Sequence, residues 1–131
     1  MPTKKKTTRR KTTRTPRKVT AGVKYDGGKL RWDLLPPEAM NELVYVYTYG
    51  ASKYADRNWE QGLRWGRVFA AMMRHAWAWW AGESRHEERM HSLASVAWCA
   101  LALMTFEQRH IGEDDRICTS TLPATSTHGK D

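Results

Sequence analysis

Three runs of apolar residues, all between about positions 36 and 108, repeat every three to four residues, and this periodicity constrains the chain more than any other feature. The first opens on Pro36-Pro37-Glu38. Proline is tolerated in a first helical turn, and a carboxylate there meets the positive end of the helix dipole. Met40, Leu43, Val44 and Tyr47 then form one stripe, with Glu38, Glu42, Tyr45 and Tyr49 on a neighbouring face. Gly50 or Tyr54 is the expected end. The second run covers about 65–81, with Val68, Phe69, Met72, Ala76, Trp79 and Trp80 expected inward, Arg74 and His75 interrupting, and Gly82 as the stop. The third carries Leu93, Val96, Ala97, Ala100, Leu101 and Met104 to about Gln108 and reads as the central buried helix. The pattern predicts an all-α fold, a small helical bundle with a short N-terminal arm and disordered termini.

Three helices and an arm give a thin core for 131 residues. Seven tryptophans and five tyrosines thicken it, since each large ring buries much area. Association of copies would steady it further, so a homo-oligomer is expected. Residues 24–35 hold Leu30, Trp32 and Leu34 alternating with Lys29, Arg31 and Asp33 after Gly27-Gly28, a pattern that suits a short strand or an ordered arm.

The net charge of +8 is concentrated at one end. Lys4, Lys5, Lys6, Arg9, Arg10, Lys11, Arg14, Arg17 and Lys18 are nine of the 22 basic residues, with no acid among them, and 13 basic residues face 14 acidic ones in the rest. Residues 1–20 are nearly all Lys, Arg, Thr and Pro, with nothing large to bury, so a disordered basic tail is expected there. Such a tail either stays solvated or holds nucleic-acid phosphates non-specifically and in a salt-sensitive way. The domain is expected over 21–110 and a flexible C-terminal tail over 111–131.

The longest apolar run, 93–104, is too short to cross a bilayer, and the basic N-terminus is not followed by an apolar stretch. Cys99 and Cys118 lack metal-type spacing. These features predict a cytoplasmic protein with no membrane partner.

Several residues could carry chemistry. Glu38 and Glu42 stand one helical turn apart and could share a hard cation or simply face solvent. Glu83, with Glu87 and Glu88 nearby, is a second acidic group that a bundle could bring against the first. His75, His86 and His91 lack the tight spacing of a zinc site, and His75 equally suits a partly buried role. Between 52 and 66 lies a polar loop that could hold a nucleotide. There Lys53 and Arg57 suit a phosphate chain or pairing with Asp56 or Glu60, and Asn58 beside Trp59 suits either a base or a cap on the core.

The blocks Lys24-Tyr-Asp-Gly-Gly-Lys-Leu-Arg-Trp-Asp-Leu-Leu-Pro-Pro-Glu-Ala-Met, Tyr49-Gly-Ala-Ser-Lys-Tyr-Ala-Asp-Arg-Asn-Trp-Glu-Gln-Gly, Arg74-His75, Gly82-Glu83 and Ala97-Trp98 occur in this order. Over about 24–108 the chain resembles a phage family, the dATP/dGTP diphosphohydrolase N-terminal family, within the MazG-like class of nucleotide pyrophosphohydrolases. The resemblance implies an all-α fold, cleavage of a purine deoxynucleoside triphosphate to monophosphate and pyrophosphate, and residence in a host cytoplasm. It also implies magnesium held by an acidic pair on one helix and a Glu-x-x-Asp on another. Those positions fall on Glu38 and Glu42 and on Glu83 and His86, giving catalytic and metal roles to the three glutamates and a metal role to His86. Lys53, Arg57, Asn58, Trp59 and His75 would bind substrate. Histidine in place of the second carboxylate suits manganese better than magnesium, and implies altered metal preference or lost catalysis. The other reading is a catalytically impaired nucleotide- or nucleic-acid-binding protein of the same fold.

Overall fold

The computed structural model describes residues 15–16 and 21–117, so most of the basic tail and the end of the chain lie outside the described residues. The chain divides into two units, Met1–Trp32 and Asp33–Asp131. In the first, a turn at Gly27-Gly28 is closed by the Lys29 N–H donating to the Asp26 carbonyl at 3.1 Å, with Gly28 at φ +78°. Of the two readings of residues 24–35, a short strand or an ordered arm, no strand forms among the described residues of this segment. A single 3-10 turn, Trp32–Leu34, follows.

The second unit is built from α1 (Pro37–Lys53), α2 (Trp65–Trp80) and α3 (Ser92–Arg109), with 3-10 turns at Asn58–Gln61 and Glu87–Arg89. Only isolated bridges, Arg64 with Glu113 and Arg85 with His91, join extended backbone among the described residues. The fold is all-α. Pro37 opens α1 as expected, and the helix runs through Gly50 to a cap at Tyr54, whose N–H donates to the Gly50 carbonyl. At the head of α3 the His91 imidazole accepts from the Leu93 N–H at 3.1 Å, and the Ser92 hydroxyl donates to the Glu83 carbonyl at 2.7 Å. This fixes the connection from α2 to α3 at both ends.

α3 is central and packs against α2 and α1, but the side it buries differs from the expected one. Ser92, Ala94, Ser95, Cys99, Ala102 and Phe106 are buried, whereas Leu93, Leu101 and Met104 are exposed. Small residues on the inner side let two helices approach closely, which large ones would prevent. α2 is likewise rotated. Trp65 and Val68 are buried, with Ala71 and Met72 packed on them, while Phe69, Trp79 and Trp80 of the expected inward set are exposed. An apolar arc wider than one face leaves the phase of a helix open.

The segment after α3 folds back onto the start of α2. The Trp65 indole N–H donates to the Ile111 carbonyl at 3.0 Å, and the Asp115 carboxylate accepts from the Gly66 N–H at 2.7 Å, supplying the cap that α2 lacks locally. The Arg116 guanidinium lies 4.8 Å from the Trp65 ring centre. Gly62 (φ +93°) and Gly112 (φ +80°) pass so closely that a Cβ on Gly62 would sit 2.6 Å from the Gly112 nitrogen. The chain is therefore held through Arg116, beyond the position 111 at which a flexible tail was expected to begin, and residues 118–131 lie outside the described residues.

Candidate functional site

A cavity of about 960 Å³ opens between the C-terminal half of α1, the 55–60 loop, α2 and the start of α3. One wall is aromatic. Trp59, on the 3-10 turn, meets Tyr47 of α1 (6.0 Å between ring centres), Trp98 of α3 (6.2 Å) and Phe106 (6.0 Å). Trp59 thus caps the core, one of the two roles left open for it, and also forms part of the cavity wall. Burial, then the nearby Glu60 carboxylate, raises the Tyr47 phenol pKa, so it stays protonated and can donate.

The other walls are charged. Lys53, Arg57, Arg67 and Arg74 supply cations, and Asp56, Glu60 and Glu87 supply carboxylates. Lys53 sits 3.5 Å from Glu87, whose charge raises the ammonium pKa, and lies near the Tyr49 and Tyr54 rings. Arg57, in left-handed backbone (φ 56°), pairs with Glu60 at 2.8 Å, and Glu60 is also bound by Arg109 at 3.1 Å. The two cations singled out from the sequence are therefore engaged in ion pairs, one with the Glu60 that the sequence named. Arg67 and Arg74 have no carboxylate partner among the described residues. Seven residues apart on one helix, they share a face, and that spacing was the signal available in the sequence.

His75 and His86 also line the cavity, with rings stacked at 4.5 Å between centres. His86 Nε2 lies 2.7 Å from the Ser95 hydroxyl. Burial first, then the neighbouring His86 and Arg74, lowers the His75 pKa, so His75 is neutral near pH 7. Buried Cys99 lies deeper, its thiol pushed up to about 11 by desolvation and hence not a nucleophile. Asn58 lines the mouth.

Glu38, Glu42 and Glu83 are not among the residues lining this cavity. Arg85 grips Glu42 with both nitrogens, at 2.8 and 3.1 Å, and holds that carboxyl below its ordinary pKa. Glu38 and Glu83 are exposed, and His86 is turned to Ser95. Among the described residues no three His, Cys, Asp or Glu side chains are placed to hold a metal ion. The implied donors therefore do not fit a magnesium or manganese centre in this arrangement, because one carboxylate is neutralised by a guanidinium and the others are not gathered around it.

The fold and cavity define a small helical domain whose site offers aromatic surface beside unneutralised cations, a combination suited to a ring carrying an anion. Residues 19–116 match the family described as dATP/dGTP diphosphohydrolase, N-terminal, and the chain belongs to that family. It is similar to a dATP/dGTP diphosphohydrolase of Salmonella phage PMBT28, 28% identical over 103 residues, which is 78% of this chain and 35% of the relative. The chain thus spans about a third of the length of the curated relative it matches. No solved structure matches. No helix among the described residues is long and apolar enough to cross a membrane.

Proposed function

We propose that this chain is the nucleotide-binding and hydrolytic domain of a purine dNTP diphosphohydrolase. The observation that carries this reading is the cavity, whose 960 Å³ lies within the range of small-molecule sites and whose walls pair rings with cations. The purine would lie along the Tyr47, Trp59 and Trp98 wall, within reach of the Asn58 amide, and the phosphates toward the cations. Water attacking the α-phosphorus, with departure of pyrophosphate, gives the monophosphate. His75, neutral in its half-buried place, is a side chain able to accept the proton of that water. The experiment is pyrophosphate release from dGTP and dATP, measured with magnesium, with manganese and in EDTA. No release under any of the three would overturn the hydrolytic reading.

The second reading is a catalytically impaired nucleotide-binding protein of the same fold. It is favoured by the Arg85–Glu42 pair and by His86 turning to Ser95, which together leave the implied metal donors apart. Nucleotide binding without pyrophosphate release would support it. The basic residues of 1–18 add a proposed non-specific, salt-sensitive contact to nucleic acid.

We further propose that a second copy covers the outer side of α2 and α3. Phe69, Met73, Trp77 and Trp80 form a stripe on α2, and Leu93, Leu101 and Met104 one on α3, all exposed, Trp77 at 72% and Trp80 at 75%. Seven large side chains this exposed are more apolar surface than scattered single residues would leave, and a second copy would remove it from water. Sedimentation at micromolar concentration should show more than one copy, and a monomer would overturn the proposal.

A further inference from the structure

We infer that Arg67 and Arg74 grip the phosphate chain of the nucleotide directly, doing with two guanidinium groups what a metal ion bridged between carboxylates would otherwise do. The inference rests on the nucleotide reading of the cavity and adds the residues that recognise the anion.

The four cavity cations differ in what an arriving phosphate would find. At Lys53 it would compete with Glu87, 3.5 Å away, and at Arg57 with Glu60, 2.8 Å away. Displacing either carboxylate leaves a negative charge beside the phosphate, so most of the gain is lost. Arg67 and Arg74 have no such partner among the described residues, and both line the cavity. Their charge is available in full.

Geometry supports the pairing. A separation of seven residues returns to nearly the same side of a helix after a rise of about 10.5 Å. That rise is comparable with the length of an extended triphosphate, so two long side chains on one face can reach its two ends. Each guanidinium presents a rigid fork of N–H donors, stays protonated at every relevant pH, and can bind phosphate oxygens in pairs. Val68 and Ala71 lie between them and are committed to the core, so the helix carrying the two arms is fixed before any ligand arrives. The Arg74 field also acts on His75 and Cys99, both of which line the cavity, so this charge acts toward the cavity interior. Neither arginine contributes an ion pair to the fold among the described residues, so a structural role does not account for the placement.

The test is calorimetric titration of the full chain with inorganic tripolyphosphate in EDTA, comparing the parent with Arg67→Gln, Arg74→Gln and the double variant. Glutamine keeps the helix propensity and much of the side-chain length, and circular dichroism melts confirm that each variant is folded. Each single variant should weaken binding about tenfold, the scale of one charged hydrogen-bonded contact, and the double by about a hundredfold. Binding by the basic tail is common to all four proteins, so the differences between them report on the two arginines. A folded double variant within about twofold of the parent overturns the inference, as does binding that appears only when magnesium is added. The outcome separates from that of the hydrolytic reading. Arginine-dependent binding without pyrophosphate release sinks the enzyme and leaves this assignment standing. Pyrophosphate release whose KM is unchanged in the double variant sinks this assignment and leaves the enzyme standing.

Discussion

The inner and outer sides of α3 are opposite in a way that explains most of the molecule. The inner side carries small residues, Ala94, Ser95, Cys99 and Ala102, with Phe106 as its one fully buried ring and Trp98 packed at its margin. The outer side carries Leu93, Leu101 and Met104 and is exposed. Leucine and methionine are thus left partly exposed on the outer side, while small residues line much of the side where the helices approach. A helix at the centre of a thin bundle spends its small residues on close approach and leaves its large ones for a second layer, the place proposed above for another copy.

The sharpest way to break this comparison is to remove the ring that α3 buries completely. Phe106→Ala should cost about 3–5 kcal/mol, because it empties the junction of Trp65, Val68 and Trp59. Urea unfolding would show it. A loss no larger than that of a Met104→Ala control on the exposed side would mean that the inner side does not carry the core.

Next in size is Gly112→Ala. The residue sits at φ +80°, and an added Cβ would lie 3.0 Å from the Trp65 indole nitrogen and against Leu63 backbone. Strain of this kind costs about 1–3 kcal/mol. Hydrogen exchange should show the first turn of α2 opening more often, since the fold-back that caps it is disturbed. Unchanged protection at Gly66 would show that the Asp115 cap stands without the glycine contact.

For the outer side, Trp77→Ser with Trp80→Ser should lower the sedimentation mass and leave the cooperative melt of the single chain in place. Both indoles are largely exposed, so the unassociated chain loses little by their removal. A collapse of the melt at every protein concentration would place these rings in the core of one chain and undo the two-sided picture.

A smaller effect concerns pH on the inner side. The His75 pKa is held below its ordinary 6.5, chiefly by burial, so the folded state favours the neutral ring. Stability is then complete above about pH 6.5 and falls as the pH drops from there toward the depressed folded value, because the unfolded chain takes up the proton first. The melting temperature should decline between about pH 7 and pH 5, and His75→Gln should flatten that slope. An unaltered slope would assign the acid sensitivity to other groups.

The smallest change in stability belongs to Arg85→Gln, since the Arg85–Glu42 pair is exposed and screened. Its value is diagnostic. Freeing Glu42 should raise that carboxyl toward its ordinary pKa and, if the acidic side of α1 has any metal affinity, produce a manganese-dependent thermal shift that the parent lacks. Silence in both proteins would leave these carboxylates as a solvated face.

Element boundaries were largely legible in the sequence. The double proline, Gly82 and the recurring apolar residues located all three helices within a residue or two, because these signals act through the backbone of the residues that carry them. The family was legible too, in the blocks around Lys53, Trp59 and His75 that fall within the matched 19–116. Of the candidate site, the loop cations, Asn58, Trp59, His75 and His86 do meet around one cavity, while Glu38, Glu42 and Glu83 do not line it. Arg67 and Arg74 stayed hidden because an arginine's availability depends on which carboxylates fold against it.

By itself, then, the sequence determined the number of helices, their ends, the family and the residue types on hand for binding an anion beside a ring. Tertiary structure alone decided the rotational phase of α2 and α3, the fold-back of 111–117 and the pairing of each charge. Periodicity is a property of one helix and remains ambiguous when the apolar arc is broad. Which side is buried, and which charge is neutralised, are properties of contacts between residues tens of positions apart, as Arg85 with Glu42 and Asp115 with Gly66 show. No local rule encodes such distances, and the close approach of helices settles them.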